Sequence, residues 1–555
     1  MSKKCTPLHK MYRRITHNRP FRSLLLLAGM LALLLAGIRW AWHLPQVMDI
    51  TFGDEAQYLR YGIDWPHIIQ KDWGPSYNWW YKILSLVQEN PLDLFYLNYQ
   101  VTAILSALLL FLSLIRYQIA FGISWWLAFC FLLSPVVIDT WPRVSHFAVI
   151  LLLSCLLLIR NVASNAVKMC WVSFTFFLAA YARPELFASF VLSLLVLLYF
   201  LIKERNNWKK WLPLLAVLTG IMALVFAIYQ LPADSYKGID RTYIAYSQHY
   251  AINYYLQFKP DFNPISEWID FARQTFGDCK NVGCIIQTHP DLFFKNCLFN
   301  LQNYMLTLLQ WLTAALFPVK IIGKKIIHLG VLAGFFGLLV FVLVNQPVRA
   351  RFLQQCKDHA WLLLILFLFG LPSMGSAVII FPRHHYLLMH SILLVFVLAM
   401  LLNALPFVHK IKPAYWLLFF VPFLIKSPAA AKYQYYQTEA ENKNQCNKKI
   451  TEYIRATHDG RPHVVFSNHL SFSMLLPPNF SDFNTEYEYK PGMVFSEILQ
   501  EKKIDYVVVR DILQKEKLLS QDTTWINFMK NPAAYGFEKV LYGEGCDSYL
   551  LIKKP

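Results

Sequence analysis

The sequence predicts a polytopic α-helical membrane protein of about eleven spans, followed by a soluble extracytoplasmic α/β domain. Three observations carry that prediction. Apolar runs near bilayer-spanning length recur between residues 23 and 427. Short clusters of Lys and Arg stand beside them in the pattern that positive-inside topology requires. After residue 430 the composition changes, and mixed polar sequence carries strand patterns instead. The 555 residues are 56% hydrophobic and only 15% charged, with a mean hydropathy of +0.37, which excludes an ordinary multidomain soluble protein. The formal charge is +18, from 52 Lys and Arg against 34 Asp and Glu. Because much of that excess lies next to apolar segments, it marks topology rather than a nucleic-acid surface.

In chain order, residues 1–22 carry Lys3, Lys4, Lys10, Arg13, Arg14, Arg19 and Arg22, which puts the N-terminus in the cytoplasm. The first apolar run is too long, and its flank too basic, for a cleaved signal peptide. Spans are expected at about 23–42, 96–115, 119–138, 147–159, 169–182, 186–202 and 211–231, then at 326–345, 360–380, 387–405 and 414–427. Residues 301–318 are apolar enough to cross, but a crossing there would put Arg349, Arg351 and Lys357 outside, so they read as interfacial or re-entrant. The odd count leaves the C-terminus outside. The expected division is a transmembrane domain, 1–429, with outer loops at 43–95 and 232–325, and a soluble domain, 430–555. The 232–300 stretch is too long for a structureless loop and is expected to form helices on the membrane. In the tail, His463–Phe466 and Ile504–Val509 read as buried strands, Phe495–Lys503 as a helix, and Val540–Tyr542 with Ser548–Ile552 as a hairpin.

The polar clusters that do not look structural fall on the outer side. Asp54 and Glu55 stand a few residues past the first span, followed by Tyr58. A carboxylate held at a membrane surface can abstract a proton from a lipid-linked substrate; the plainer reading is a helix cap. Asp139, Arg143 and His146 lie at the outer end of the third span. Arg183 sits at a hairpin tip between two short spans, where it can meet a lipid phosphate or simply pair with Glu185. Arg383, His384, His385 and Tyr386 open a later span with a fixed cation, two imidazoles and a phenol, donors suited to phosphate, although Arg and Tyr also serve as interfacial anchors. Arg241 and Tyr243 begin a Tyr-rich run in the long outer loop. The Trp and Tyr clusters at 73–81 and 243–255 read as interface and core residues before sugar platforms.

There is no Walker A, no G-x-G-x-x-G and no G-x-S-x-G, so neither nucleotide-driven transport nor a serine hydrolase has support. No transporter-like internal repeat is evident. Ten cysteines are scattered; those on the expected outer side are Cys279, Cys284, Cys297, Cys446 and Cys546, where a disulfide such as Cys279–Cys284 is chemically allowed. No zinc-ligand spacing occurs, no cofactor requirement is visible, and a divalent metal lacks support.

These motifs together resemble the GT-C-fold glycosyltransferases that use polyprenyl-phosphate sugars, the group containing protein O-mannosyltransferases and lipid A aminoarabinose transferases. The resemblance is carried by Gly53-Asp54-Glu55-Ala-Gln-Tyr58, by Gly74-Pro75-Ser-Tyr77, by the Arg183–Glu185 tip, by Arg383–Tyr386 and by the outer α/β tail. It implies sugar transfer from a polyprenyl-phosphate donor to a lipid, glycan or protein acceptor in a bacterial inner membrane, with inversion and no nucleic-acid partner. It also implies Asp54, or in second place Glu55, as general base. Arg183, Arg383 and His384, with His385 and Tyr386 beside them, would hold the donor phosphate; Tyr58, Asp139, Arg143, His146, Arg241 and Tyr243 are candidates for the substrate. That family often has Arg-Tyr where this chain has Arg383-His384-His385-Tyr386. The alternatives are an O-antigen-ligase-like transferase using a pyrophosphate-linked donor, and a lipid or glycan transporter. A transporter would place charges at span centres, whereas here they gather at one face.

Overall fold

The computed structural model describes residues 19–554 apart from short breaks, the longest at 135–142, 317–324 and 419–443. The first part is helical: α1 (Arg19–Ala41), α2 (Asp54–Asp64), α3 (Pro75–Ser85), α4 (Pro91–Arg116), α5 (Phe121–Leu133), α6 (Val144–Ile159), α7 (Asn165–Ala180), α8 (Phe187–Lys203) and α9 (Trp208–Tyr229). After a two-strand ribbon, β1 (Ser235–Tyr236) and β2 (Ile239–Asp240), come α10 (Arg241–Phe258), α11 (Trp268–Phe276), α12 (Val282–Thr288), α13 (Pro290–Leu316), α14 (Lys325–Val344), α15 (Gln346–Asp358), α16 (Ala360–Ile379) and α17 (His384–Asn403). Local chemistry fixes several starts. Asn90 accepts the Leu92 N–H at 3.0 Å with Pro91 in the first turn of α4, Ser164 accepts the Val167 N–H at 3.2 Å at α7, and Asp240 caps α10.

Among the described residues, six helices are long and apolar enough to cross a membrane, or seven if α14 and α15, bent by 95°, form one span. This is fewer than the eleven expected. Helices α5, α6 and α7 are apolar but have only 13, 16 and 16 residues, roughly 20–24 Å against a hydrocarbon layer of about 30 Å. Their side chains are mostly buried inside the bundle, so protein rather than lipid surrounds them and no full-length apolar face is needed. Of the expected span at 414–427, only Pro413–Leu418 is described, as a short helix.

Of residues 301–318, expected to be interfacial or re-entrant, those up to Leu316 are the second half of the continuous 27-residue α13, which is not among the helices long and apolar enough to cross a membrane. It packs along α5 and α16, with the Trp126 indole donating to the Leu316 carbonyl at 2.9 Å. The helices α10, α11 and α12 fill the long loop, with Tyr243, Tyr246 and Tyr250 buried against Phe276 and Phe293.

The tail holds α18 (Cys446–Thr457), then β3 (His463–Ser467), β4 (Phe480–Asn484), α19 (Phe495–Glu501), β5 (Ile504–Val509), α20 (Thr523–Lys530), β6 (Phe537–Val540) and β7 (Tyr549–Lys553). The sheet order is β4-β3-β5-β7-β6, with β3 parallel to β4 and β5, and β7 antiparallel to β5 and β6. The expected hairpin is present as β6–β7; β4 was not foreseen, since Phe480-Ser-Asp-Phe-Asn484 has too few apolar positions to announce a strand. The expected boundary at 429/430 lies outside the described residues. Cys279 pairs with Cys284 and Cys446 with Cys546.

The tail packs directly on the helical part. The Asp49 carboxylate, just past α1, accepts the backbone N–H groups of Asn447 and Lys448, each at 2.9 Å, and so caps α18 from another part of the chain. Phe52 packs on His469 and Phe472 with ring centroids 4.6 and 4.8 Å away, and Gln57 donates to Ser471 Oγ at 2.6 Å. Both flanks of Asp54 are thereby held. Asp49→Ala removes the acceptor for two α18 amides. Hydrogen exchange at Asn447 and Lys448 is expected to accelerate about tenfold, from a loss of ~1.5 kcal/mol; unchanged exchange would show that the cap does not hold the tail.

Candidate active site

Asp54 is the first residue of α2 and not its cap. The cap is Gly53, at φ 90°, a backbone conformation that side chains other than hydrogen disfavour. The Asp54 carboxylate is half-buried and among the described residues accepts no hydrogen bond. Burial raises its pKa above the ordinary 3.8, and the charges of Arg241, Arg383 and Arg183 oppose that rise. Those arginines come from three separate parts of the chain: the start of α10, the residue before α17, and the turn between α7 and α8.

Its neighbour Glu55 has a different fate. The side chain is fully buried, and Oε1 accepts from Tyr77 Oη at 2.7 Å, from Tyr81 Oη, and from Asn98 Nδ2 at 3.0 Å. Oε2 accepts the Arg143 backbone N–H at 2.8 Å. The Trp80 indole in turn donates to Asn98 Oδ1 at 2.8 Å. The close seating of α3 that permits this depends on Gly62: a Cβ there would lie 2.4 Å from Tyr81 Cβ and 2.7 Å from the Asn78 carbonyl. Glu55 therefore ties α2 to α3, α4 and the start of α6. With its lone pairs occupied it is poorly placed to accept a substrate proton.

The other sequence candidates divide in the same way. Arg143 is in the interior, donating to Thr102 Oγ1 at 3.0 Å and to the Tyr99 carbonyl at 3.0 Å while lying 4.6 Å over the Tyr99 ring. His146 is fully buried in α6, and Tyr243 belongs to the aromatic core of the outer helices. Asp139 lies outside the described residues. Tyr58 is buried edge-on to Tyr77, centroids 5.2 Å apart, and its charge environment includes Asp54, Arg241 and Arg183. Arg183 donates to Glu185 at 2.8 Å and lies 4.9 Å over the Tyr386 ring, so it has the plain partner foreseen for it and still acts on Asp54. His385 is buried, its ring 4.5 Å from that of Tyr386, whereas His384 is exposed. Arg383 is half-buried.

One residue of this cluster has no role in the sequence reading. His249, on α10, is 2% exposed, its ring 5.1 Å from Phe381, and the charge of Arg383 reaches it. Burial and that charge hold the imidazole down at about 3, so it is neutral. The signal was spacing: on the helix expected in this stretch, Arg241, His249 and Asn253 fall towards one side. The arrangement is a carboxylate with free acceptor capacity facing three guanidinium groups. Such a site can receive a proton on one side and stabilise a phosphate on the other. Among the described residues no cluster of metal ligands occurs. No known family model and no curated protein matches the chain.

Glu55→Gln turns a fourfold acceptor into a group that presents an NH2 to at least one donor. It is expected to cost about 3 kcal/mol of stability, read as a lowered unfolding temperature, while folded molecules keep most of their activity. A variant as stable as the parent would contradict the bracing role.

Proposed function

We propose that this chain is a membrane glycosyltransferase that moves a sugar from a polyprenyl-phosphate donor to an extracytoplasmic acceptor with inversion. The observation that carries the reading is Asp54, which accepts no hydrogen bond from the described residues and lies within the charge of Arg183, Arg241 and Arg383, beside a carboxylate already held by four hydrogen bonds. The N-terminus would be cytoplasmic and the sheet domain on the outer side, where nucleotide sugars do not occur and a lipid-carried donor is needed.

In the proposed step an acceptor hydroxyl attacks the anomeric carbon while Asp54 takes its proton. The bond from that carbon to the phosphate oxygen breaks, and its electron pair leaves with polyprenyl phosphate. Guanidinium groups neutralise the charge that grows on this oxygen, an effect largest in the transition state. Arg suits the task better than Lys because two parallel N–H groups match two phosphate oxygens.

Asp54→Asn keeps the shape and loses the base. Turnover is expected to fall roughly a thousandfold with folding intact, measured by release of polyprenyl phosphate. Asp54 acts ionised, so the parent's turnover rises with pH through a pKa lying above the usual carboxylate value. A bound phosphate offsets the arginine charge, so the acidic limb of kcat should lie at higher pH than that of kcat/KM. Coincident limbs near 3.8, the ordinary value, would contradict the assignment.

Arg383→Ala is expected to lower kcat on the order of a hundredfold, with partial recovery in Arg383→Lys. Wild-type turnover in the Ala variant would remove Arg383 from the clamp. A second reading has its own support: three arginines rather than a pair would also suit a pyrophosphate-linked donor. Parallel assays with polyprenyl-phosphate and polyprenyl-pyrophosphate sugars separate the two.

A further inference from the structure

Helix α10 connects two of the three arginines. Arg241 is its first residue, and its middle grips the turn that presents Arg383. The His249 ring packs on Phe381 at 5.1 Å. One helical turn on, Asn253 Nδ2 donates to Asn300 Oδ1 at 2.8 Å, and Asn300 Nδ2 donates to the carbonyls of Val378 and Ile380 at 3.1 and 2.9 Å. The Phe381 carbonyl then accepts the Arg383 N–H at 2.9 Å. Arg383 is therefore carried on a turn fastened to α10 at two points.

Within this frame the His249 imidazole is unbalanced. Its Nδ1 lies 2.6 Å from the Ala245 carbonyl. A carbonyl only accepts, so Nδ1 carries the proton and Nε2 the lone pair. Nε2 is sealed from solvent and has no hydrogen-bond partner among the described residues, and a buried acceptor left unpaired costs free energy. Close by stands Arg383, whose guanidinium hydrogen-bonds to no described residue and whose charge acts on this ring. Among the described residues, a fork of donors without an acceptor and an acceptor without a donor thus lie on either side of Phe381, within each other's electrostatic reach. Hydrogen bonds of this kind are often loose before substrate arrives and tighten in the complex.

We infer that His249 is a positioning residue for the donor-phosphate clamp: its Nε2 accepts one N–H of Arg383 and so aims the remaining N–H groups at the phosphate of the donor. This rests on the function proposed above. A neutral imidazole suits the role, because a carboxylate in its place would neutralise the cation and repel the phosphate. The contact also orients Arg383 relative to Arg241, since both then refer to one helix.

The test measures binding of polyprenyl monophosphate to the full-length protein in lipid nanodiscs, for the parent, His249→Phe and His249→Gln. Phe keeps the ring on Phe381 and loses the acceptor; Gln loses the ring and keeps an acceptor. His249→Phe is expected to weaken binding about tenfold and to lower kcat at least as much, whereas His249→Gln stays within about threefold of the parent. Thermal unfolding of each variant checks that it is folded. Equal affinity of parent and His249→Phe overturns the inference. So does a Gln variant as weak as the Phe variant, which would make His249 a packing residue only. If the parent itself fails to bind polyprenyl monophosphate, the donor assignment fails and the inference falls with it, a result distinct from either of the others.

Discussion

The buried Glu55 carboxylate is the constraint on which the candidate site depends. Two tyrosine hydroxyls, an asparagine amide and a backbone N–H converge on its two oxygens, and each donor comes from a helix other than its own or from the chain just before one. An isolated carboxylate in such surroundings would be expelled or neutralised; this one is retained because its acceptor capacity is filled. The geometric consequence falls on the next residue back. With α2 fixed in rotation by Glu55, Asp54 is held where the charges of the three arginines reach it. The adjacent acids thus have separate duties, one set by saturation and the other by openness.

The three arginines add the second half of the argument. They stand 58 to 200 positions apart in sequence (Arg183, Arg241 and Arg383), and their charges meet at Asp54 only because the end of α7 and the starts of α10 and α17 come together where α2 begins. Burial alone would lift the Asp54 pKa; the guanidinium groups oppose the rise and favour the ionised carboxylate. The sheet domain contributes from the other direction. Asp49 caps α18, and Phe52 and Gln57 meet the 469–472 segment, so the tail steadies the chain on both sides of Asp54.

Much of the architecture was legible because hydropathy is a local property. Apolar runs announced the long apolar helices such as α4, α8, α9, α16 and α17, and Ile504–Val509 announced a buried strand by its β-branched Val507–Val509 run. Span number was less legible, since α5, α6 and α7 are as apolar as lipid-facing helices but need not be as long when other helices enclose them. Residues 301–316 continue the helix that begins at Pro290, a continuity that the polar positions Lys295, Asn296 and Asn300 hide in the sequence. At the site, the motif Gly53-Asp54-Glu55 was visible but the division of labour was not, because Tyr77, Tyr81, Asn98 and Arg143 are joined to Glu55 only by the fold. Arg143 looked like a substrate contact and lies in the interior for the same cause. His249 was in plain view within a Tyr-rich run, yet only helical spacing and the lone pair at Nε2 give it meaning.

The central claim is that a lipid phosphate sits among Arg183, Arg241 and Arg383 with Asp54 facing it. The most direct measurement is an experimental structure of the protein with polyprenyl monophosphate bound. The account predicts phosphate oxygens within hydrogen-bond distance of Arg383 and of at least one other arginine of the three, with Glu55 still enclosed by Tyr77, Tyr81 and Asn98. A phosphate bound away from all three arginines, or a Glu55 released from its partners to face the phosphate, would contradict it.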